Sequence, residues 1–520
     1  MKNNNSKKSN GFVLIVLICI ISSFVTLGAC VLSQLTLWYI DTFNIDITTL
    51  LFTLKSPLKG ADTNFLKGAV SYILPKFLET VVVCIIICYI LLFVFERLVV
   101  SLKIKIKEKS LSISLRFLLS FCFIIFSLFF ALKSLYDAEH CINYKEYKRK
   151  LSEQTHIYEN YYIDPKSVDL VSPKLKKNLI YIYMESMETT YASEMEGGSQ
   201  VSENYIPYLT RLAQENVSFS NKNDLLGGYH NTIGTQWTIA ALFATESGVP
   251  FSFPVTNNSM DSRTTFASGI TMMGDILKDN GYNQEFLCGS EGEYAGRKDM
   301  FIQHGNYYVF DLFTAREKGY ISEDYKVWWG FEDEILYKIA RDEVIRLSNE
   351  PEPFNLTLLT VDTHHVGGYK CNICGDEYEE NLANVVACAD RQVYDFITWI
   401  KEQPFYKDTV IVITGDHPRM DTILVGDTSY FDRTTYNCFI NSQIPKTDID
   451  FHNLISNRVA CSMDMFPTVL SALGFEIPGN RLGLGTDLFS GEKTLAEELG
   501  YDYFNEEVSK YSQWYIINFS

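Results

Sequence analysis

The last 380 residues of this 520-residue chain lack the clustered positive charge that nucleic-acid-binding proteins carry. They hold 31 Lys and Arg against 55 Asp and Glu, a balance of −24, whereas residues 1–140 hold 14 against 8, a balance of +6. An acidic, Tyr- and Phe-rich region without a basic stripe argues against nucleic acid as a partner. The excess acid is typical of a solvated surface. Internal repeats and low-complexity tracts are also missing, and the length predicts two to four structural units.

A second C-x2-C pair is missing as well, so Cys371-Asn-Ile-Cys374 supplies only half of a common zinc-binding pattern. Five of the twelve cysteines lie in long apolar runs and seven lie outside them. An odd number cannot all pair within one chain. We therefore expect a local disulfide at this motif, or two free thiols.

Three apolar runs are long enough to cross a bilayer as helices: about 11–39, 80–100 and 111–135. The first is too long for a signal peptide, ends in bulky residues and is followed by further runs. Basic residues dominate the N-terminus and the loop between the second and third runs, which predicts that both face the cytoplasm. Everything after about residue 136 then lies outside, which predicts a multi-pass protein of the cell membrane with an extracytoplasmic C-terminal part.

The rest of the chain has the pattern of an α/β domain. Short, β-branched or aromatic apolar runs at 179–184, 356–361 and 410–414 predict buried strands. Helical stretches are predicted at about 204–216, 235–246, 380–403 and 463–473. Strands that alternate with helices indicate a largely parallel sheet. We therefore divide the chain into a membrane domain (1–135), a linker (136–177), a catalytic domain (178–490) and a C-terminal extension (491–520).

Candidate functional residues follow the predicted strands or begin a helix. Glu185 comes directly after the first strand, His364 follows the second, and Asp416 and His417 follow the third. Thr238 lies near the start of an apolar helix, where backbone N–H groups favour a phosphate or sulfate. Each has a plain structural alternative: a residue beside a helix cap, a surface loop or an ordinary N-cap. Because chemistry in parallel sheets sits at the carboxyl ends of the strands, the set as a whole indicates a divalent-metal site.

The order of these segments and their residues resemble those of the family that contains lipoteichoic acid synthases and the phosphoglycerol transferases that decorate periplasmic glucans. These are sulfatase-like enzymes of the alkaline phosphatase superfamily. The resemblance covers about residues 175–490 and the multi-span N-terminus. It rests on four segments: Asn178–Ser186, Gly234–Ala240, Thr360–His364 and Gly415–His417. It implies N-terminal transmembrane helices followed by an α/β/α sandwich domain of the alkaline-phosphatase/sulfatase type.

The chain departs from the lipoteichoic acid synthase pattern in two places. Gln236-Trp237-Thr238 stands where that group has Gly-Lys-Thr, and the stretch Tyr294–Lys298 stands in place of a Trp-Asn-Arg substrate patch. The second stretch is closer to the glucan phosphoglycerol transferase form. The resemblance therefore implies transfer of a single phosphoglycerol group onto a glycan more than synthesis of a polyglycerol-phosphate chain.

The resemblance also implies the chemistry and the site residues. Thr238 is the expected nucleophile, and Glu185, Thr238, Asp416 and His417 are the expected ligands of one divalent ion, which we expect to be Mn²⁺, with Zn²⁺ or Mg²⁺ as alternatives. His364 is expected to hold the phosphate or to move a proton, and Arg297 is expected to bind phosphate oxygens. The expected donor is phosphatidylglycerol, with a glycan or a polyglycerol-phosphate chain as acceptor. His365, His304 and Asp362 are further candidates for side chains that surround and support the site residues.

Three alternatives stay open at this point. Phosphoethanolamine transfer uses the same kind of threonine nucleophile. A hydrolytic sulfatase requires a Cys/Ser-x-Pro-x-Arg segment, whereas this chain has Thr238-Ile-Ala-Ala-Leu242. A catalytically inactive membrane scaffold has no need of the metal and nucleophile residues together. Thr238 is preferred over Thr235 as nucleophile, since Thr235 follows Gly234 and has the character of a turn or cap residue.

Overall fold

The computed structural model describes residues 2–43, 45, 47–55, 64–95, 101–106, 109–253, 265–425, 431–443 and 450–519. The chain forms two compact units. One contains Met1–Phe43 and Thr63–Glu146, and the other contains Asn44–Asp62 and Tyr147–Ser520.

The first unit contains three helices that are long and apolar enough to cross a membrane, over Gly11–Thr42, Leu66–Val94 and Leu115–Cys141. They belong to α1 (Lys2–Thr42), α3 (Asn64–Tyr89, continued by a π-helical turn at Ile90–Val94) and α4 (Leu115–Cys141). A two-stranded hairpin precedes α4, with β1 at Ser101–Ile106 and β2 at Lys109–Ser114. Helix α2 (Ile47–Lys55) is grouped with the second unit.

Two boundaries of the predicted spans were wrong. The second apolar helix begins at Leu66, not near residue 80. The prediction missed its first turns because Pro75, Lys76 and Glu79 interrupt the apolar run there. Lys76 Nζ and Glu79 Oε2 lie 2.8 Å apart, so each charge has a partner one turn away on the same helix. The third helix begins at Leu115 because residues 111–114 belong to β2, and it runs on to Cys141. The predicted residues 96–100 lie outside the described part of the chain.

A six-stranded sheet forms the centre of the second unit, and the prediction of a largely parallel α/β fold is confirmed. Its strands are β3 (Asn178–Met184), β4 (Asn283–Cys288), β5 (Tyr308–Phe310), β6 (Phe354–Leu359), β7 (Thr409–Gly415) and β8 (Asn437–Ile440). Their order is β5-β4-β6-β3-β7-β8, and only β8 runs antiparallel to its neighbour. A two-stranded pair, β9 (Arg481–Leu482) and β10 (Gly485–Thr486), lies later in the chain.

Helices pack on both faces of the sheet. The helices that the structure describes after α4 are, in chain order, α5 (Tyr144–Ser152), α6 (Ile157–Tyr161), α7 (Pro207–Glu215), α8 (Thr238–Ser247), α9 (Met273–Asp279), α10 (Arg297–Gln303), α11 (Leu312–Glu317), α12 (Asp333–Ser348), α13 (Asn381–Lys401), α14 (Phe451–Ile455), α15 (Met465–Ala472), α16 (Leu495–Leu499), α17 (Tyr501–Ser509) and α18 (Gln513–Phe519). The four helices predicted in this region correspond to α7, α8, α13 and α15.

Two hydrophobic cores flank the sheet because successive side chains of a strand point to opposite faces. In β3, Tyr181 and Tyr183 belong to one core, with α8 and α15, whereas Ile180 and Ile182 belong to the other, with α7, α12 and α13. The carboxyl ends of β3, β6 and β7 therefore lie side by side, between two layers of helices.

The segments on either side of the predicted catalytic domain also pack into the first of these cores. Tyr158, from the stretch predicted as a linker, is buried, with ring centroids 5.1 Å from Tyr515 and 6.5 Å from Trp514. The backbone N–H of Thr155 donates to the carbonyl of Tyr511 at 2.9 Å. Helices α16–α18 contribute buried Leu495, Phe504, Val508 and Phe519 to the same core.

Candidate active site

The register between β3 and β7 brings the first candidate residues together. Met184 pairs with Gly415, so the residues that follow, Glu185 and Asp416, leave the sheet side by side. The backbone N–H of Asp416 still donates to the carbonyl of Met184 at 3.2 Å. A Cβ atom on Gly415 would lie 1.9 Å from the carbonyl oxygen of Met187, so only glycine fits where the chain passes this close.

Asp416 is fully buried and uses only one of its two carboxylate oxygens. Its Oδ1 accepts from the backbone N–H groups of Ser186 at 2.7 Å and of His417 at 2.8 Å. Its Oδ2 has no hydrogen-bond partner among the described residues, although His417 Nε2 lies 3.5 Å away. Because an unpaired buried carboxylate oxygen is costly, this atom is suited to bind a cation.

His417 is oriented by the carbonyl of Pro418, which lies 2.9 Å from its Nδ1. That contact makes Nδ1 the donor and leaves the lone pair on Nε2, as in a metal-bound imidazole. Nε2 lies 3.6 Å from Glu185 Oε1 and 3.5 Å from Thr238 Oγ1. The imidazole is therefore aimed at the point where the other candidate ligands meet.

Glu185 is held by the neighbouring strand ends. Its backbone N–H donates to Thr360 Oγ1 at 3.0 Å, its carbonyl accepts from the Thr363 hydroxyl, and its Oε1 accepts from Ser186 Oγ at 2.7 Å. The remaining oxygen, Oε2, accepts from the Thr238 hydroxyl at 3.2 Å. Residues from β3, β6 and α8 thus fix this carboxylate.

Thr238 is the first residue of α8, whereas Thr235 lies in the preceding turn. Trp237 occupies the N-cap position and makes no side-chain cap hydrogen bond, so of the two roles expected for Thr235 the turn is confirmed and the helix cap is not. The Thr235 hydroxyl donates instead to the carbonyl of Thr232 at 2.9 Å and accepts from Ser462 Oγ at 3.3 Å. In the described structure, only Thr238 among these two threonines hydrogen-bonds a candidate metal ligand.

The charges of this cluster depend on one another. Burial opposes the charge of Glu185, but His364, His417 and the hydroxyls of Ser186 and Thr238 hold its pKa below the usual value. Burial and the nearby Glu185 raise the pKa of Asp416 to about 7. Burial also opposes the charge of His417, yet Asp416 and Glu185 raise its pKa. Two carboxylates this close are most stable with a positive charge between them.

The donor set fits one divalent metal ion. Single ligand atoms of Glu185, Asp416 and His417 lie within 4.8 Å of one another, and Thr238 Oγ1 adds a fourth donor. The distances from His417 Nε2 to the other three residues, and from Thr238 Oγ1 to Glu185 Oε2, are 3.2–3.6 Å, which compares with roughly 3.4 Å between tetrahedral ligands placed about 2.1 Å from a metal. These four residues would hold the ion.

His364 lies in the loop after β6, next to an aromatic wall. Its ring centroid is 4.6 Å from that of Trp329, and its Nδ1 is 2.6 Å from the carbonyl of His365. Burial lowers its pKa, so the imidazole is neutral at pH 7. Trp329 in turn packs against Tyr294, with centroids 5.3 Å apart, and the Arg297 guanidinium lies over the Tyr294 ring at 5.7 Å.

Arg297 is buried at the start of α10 and is held by the loop after β4. Its guanidinium donates to Ser290 Oγ at 3.0 Å and to the carbonyls of Glu291 and Tyr294 at 2.9 and 3.1 Å. Those contacts fix the side chain at the carboxyl side of the sheet. They connect to the candidate metal site through Tyr294, Trp329 and His364, and phosphate binding by Arg297 stays a prediction.

The three further groups have different surroundings. The ring nitrogens of His304 lie 3.0 Å from Asp275 Oδ2 and 2.7 Å from the carbonyl of Phe266, where they are part of a separate cleft. His365 stacks on His364, with centroids 4.2 Å apart, and burial lowers its pKa. Asp362 is buried, neither of its carboxylate oxygens has a hydrogen-bond partner among the described residues, and burial raises its pKa.

Sequence reasoning missed a buried ionic network beside the site. The Arg419 guanidinium donates to both oxygens of Asp421 at 2.6 Å and to the carbonyl of Thr363. Asp421 Oδ2 also accepts from the N–H of Gly367 at 3.3 Å. The network therefore joins the loop that carries His417 to the loop that carries His364. Its only signal in the sequence is the pair of charged residues directly after Asp416-His417-Pro418.

The cysteine motif does not form a local disulfide. Cys374 is bonded to Cys388 of α13, and Cys371 stays a buried free thiol, so neither alternative for Cys371-Asn-Ile-Cys374 was right. The partner is supplied by a helix 14 residues further along the chain, which no pattern within the motif indicates.

The chain matches known proteins over this domain. A family model described as Sulfatase matches residues 177–475. Phosphoglycerol transferase I from Xanthomonas euvesicatoria pv. vesicatoria (strain 85-10) is 31% identical over 342 residues, which cover 63% of this chain and 46% of that protein. Phosphoglycerol transferase I from Escherichia coli O6:K15:H31 (strain 536 / UPEC) is 33% identical over 342 residues, which cover 64% and 41%. The chain spans less than half the length of these relatives.

Two solved structures also align with this chain, at low sequence identity. The integral membrane protein lipooligosaccharide phosphoethanolamine transferase A from Neisseria meningitidis has a TM-score of 0.47 at 15% identity and covers 89% of this chain and 86% of its own. The lipoteichoic acid synthase LtaP from Listeria monocytogenes has a TM-score of 0.45 at 19% identity, with 62% and 80% covered.

Proposed function

Since the chain belongs to the sulfatase family, we propose that it is a membrane-bound, metal-dependent transferase that acts through Thr238. It moves a phosphoglycerol group from phosphatidylglycerol to an extracytoplasmic glycan or glycerophosphate acceptor. The observation that carries this proposal is the position of the Thr238 hydroxyl. It lies 3.2 Å from Glu185 Oε2 and 3.5 Å from His417 Nε2, within one buried cluster that also contains Asp416.

The proposed reaction has two steps on one threonine. In the first, Thr238 Oγ1 forms a bond to phosphorus as the bond from phosphorus to the diacylglycerol oxygen breaks, and diacylglycerol leaves. In the second, an acceptor hydroxyl attacks the phosphorus and Thr238 is released. A bound divalent ion would lower the pKa of the threonine hydroxyl and balance charge on the phosphoryl oxygens.

The chain's own residues orient and stabilise these groups. Glu185 Oε2 accepts the Thr238 hydroxyl, which fixes the direction of the Oγ1 lone pairs. Because the Nδ1–H of neutral His364 is donated to the carbonyl of His365, its Nε2 acts as a base that takes a proton from the reacting hydroxyl and then passes it to the leaving oxygen. Arg297 would bind phosphate oxygens with the guanidinium N–H groups that are not donated to Ser290, Glu291 and Tyr294.

The donor and the location are supported by separate observations. Two relatives above 30% identity are named phosphoglycerol transferase I. Three helices long and apolar enough to span a membrane keep the protein near a lipid donor. The basic N-terminus supports an extracytoplasmic catalytic domain. Three oxygen donors and one nitrogen favour Mn²⁺ over softer ions, with Zn²⁺ or Mg²⁺ as the alternatives.

The test is incubation of the purified full-length protein in vesicles that contain phosphatidylglycerol labelled in both the glycerol headgroup and an acyl chain. After loading with Mn²⁺, Zn²⁺ or Mg²⁺ in turn, we expect labelled diacylglycerol, and a headgroup label on a glucan acceptor. Parallel vesicles carry labelled phosphatidylethanolamine, and an aryl sulfate is added to a third reaction. Diacylglycerol from phosphatidylethanolamine alone would assign the protein to phosphoethanolamine transfer, and sulfate release alone would make it a hydrolase.

A further inference from the structure

Three cysteines from two elements meet where the segment that carries His364 joins α13. Cys371 and Cys374 lie in that segment, and Cys388 lies in the helix. Cys371 Sγ is 3.3 Å from Cys374 Sγ and 3.9 Å from Cys388 Sγ, and Cys374 is bonded to Cys388. This three-cysteine cluster is separate from the Glu185, Asp416 and His417 cluster, and the proposed transfer reaction makes no use of it.

Nitrogen donors are directed at the sulfur atoms. Gln392 Nε2 lies 3.5 Å from Cys388 Sγ and 4.0 Å from Cys371 Sγ, and Arg391 Nη2 lies 3.9 Å from Cys388 Sγ. Disulfide sulfur is a weak acceptor, whereas a thiolate gains from N–H donors and from a guanidinium charge. Burial raises the pKa of Cys371 to about 11, so these two donors assist thiolates, but a cation is needed to form them.

Three thiolates this close together require a cation between them. A C-x2-C pair joined by a third cysteine is a ligand set for zinc, a borderline-soft ion that binds thiolates about 2.3 Å away in a tetrahedron. Such ligands lie about 3.8 Å apart, close to the 3.3 and 3.9 Å measured from Cys371 Sγ. Cys388 thus supplies the ligand that the sequence motif lacks.

We propose that Cys371, Cys374 and Cys388 form a zinc-binding site when the Cys374–Cys388 disulfide is reduced, with solvent as the fourth ligand. A phosphine or a dithiol supplies the two electrons that break the sulfur–sulfur bond, which yields two thiols. These two thiols and the thiol of Cys371 release their protons as they bind the ion. The disulfide and the metal are then alternative links between the His364 segment and α13.

Cobalt binding tests this directly on the full-length protein in detergent. The protein is reduced with a phosphine under nitrogen, desalted and titrated with Co²⁺, beside an unreduced sample. Thiolate ligation gives a sulfur-to-cobalt charge-transfer absorption in the near ultraviolet, whereas the oxygen and nitrogen donors of the candidate active site give none. We expect this absorption, and one additional bound Co²⁺ per chain, in the reduced sample only.

Variants assign the site to these residues. Cys371→Ser and Cys388→Ser should each lose the charge-transfer absorption. Cys438→Ser is the matched control, because Cys438 is another buried free thiol, whose Sγ lies 3.5 Å from the carbonyl of Leu212, a bond that serine can also make. Equimolar Zn²⁺ should abolish the absorption of the wild-type protein by displacing cobalt.

The proposal is wrong if the reduced wild-type protein, with its thiols counted as free, shows no charge-transfer absorption. It is also wrong if Cys371→Ser keeps the full signal or if Zn²⁺ leaves it unchanged. Circular dichroism identifies a variant that fails to fold, and the comparison of reduced and unreduced wild-type protein then decides alone. None of these outcomes depends on transferase activity, so a failure here is distinct from a failure of the proposed function.

Discussion

At the scale of single residues, substitutions of Thr238 and Thr235 distinguish a catalytic role from a structural one. Thr238→Ala should lower phosphoglycerol transfer by roughly a thousandfold or more, because it removes the proposed nucleophile. The protein should stay folded and keep most of its metal affinity, since Glu185, Asp416 and His417 remain. Diacylglycerol release and metal content of the purified variant measure the two effects.

Thr235→Ala is the matched control for that variant. It removes the hydrogen bond to the carbonyl of Thr232 and the weaker one from Ser462 Oγ, and it should lower the free energy of unfolding by about 1–2 kcal/mol, with appreciable activity retained. A glycerophosphate adduct mapped to Thr235 by peptide mass spectrometry, or normal turnover by Thr238→Ala, would overturn the assignment.

Glu246 should make the stability of the protein depend on pH. Burial raises the pKa of this carboxyl from 4.5 to about 8 in the folded state, even though the Tyr183 hydroxyl donates to it at 3.1 Å. Its contribution is therefore fully present below about pH 4.5 and is lost as the pH rises through 8. The loss is on the order of 3–5 kcal/mol.

Thermal unfolding between pH 5 and 8 measures this effect. Other buried carboxyls also titrate, so the informative quantity is the difference between the wild-type protein and Glu246→Gln, which should have a flatter pH profile. Equal pH profiles for the two proteins would show that Glu246 is ionised in the folded state.

At the scale of elements, the join between β7 and the segment after β3 should tolerate no side chain at residue 415. Gly415→Ala would place a Cβ 1.9 Å from the carbonyl oxygen of Met187. We expect a loss of about 1–3 kcal/mol or more of stability, and loss of bound metal as Asp416 and His417 shift. Thermal unfolding and metal analysis check both.

Gly281→Ala is a control for the substitution itself. At Gly281 an added Cβ meets no atom within 4 Å, but the φ of +76° is unfavourable for alanine. We expect a cost of about 1–2 kcal/mol and full metal content. Metal retained in Gly415→Ala would show that the strand end is more adaptable than its packing indicates.

The buried Arg419–Asp421 ion pair should contribute more to the stability of the protein than a more exposed ion pair does. Arg419→Ala leaves the Asp421 carboxylate buried without its partner, which should cost about 3–5 kcal/mol. Arg481→Ala breaks a more exposed pair with Glu498 at 2.6 Å and should cost less than about 1 kcal/mol. Similar melting temperatures for the two variants would contradict this account.

Much of the site was predictable because adjacent parallel strands place their carboxyl ends together. Glu185, Asp416 and His417 each follow a strand that the sequence indicates, so their meeting needed only the strand order. Contacts made through loops were not predictable. The link from Arg297 to His364 passes through Trp329, from a stretch without a periodic pattern, and the partner of Cys374 comes from a helix.

At the scale of the whole molecule, the membrane orientation is open to a direct test. Met195 is 89% exposed in the second unit, so a cysteine there should react with a membrane-impermeant maleimide in intact cells. A cysteine in place of Ser6, in the basic N-terminus, should react only after the membrane is permeabilised. Both variants are compared with the parent protein, and labelling of the Ser6→Cys variant in intact cells would reverse the orientation.

The three spans were predictable in number but not in extent, for a reason that applies to any membrane helix. A hydropathy pattern detects the uncharged centre of a helix. Lys76 and Glu79 form an ion pair with each other, which lets the second helix extend beyond its uncharged centre. The strands, by contrast, are easy to detect as continuous apolar runs, because burial on both faces of the sheet leaves few polar residues within β3, β6 or β7.

The packing of Tyr158 against Trp514 and Tyr515 has a consequence for biogenesis. Helices α6 and α18 share one core, so that core cannot close until the residues near 515 have been synthesised. In the proposed orientation, the polypeptide crosses the membrane while this core is still open. Export and folding are therefore ordered in time: the secretion machinery handles an incomplete domain, and a nascent chain stalled before α18 is exposed to chaperones and proteases on the outer side.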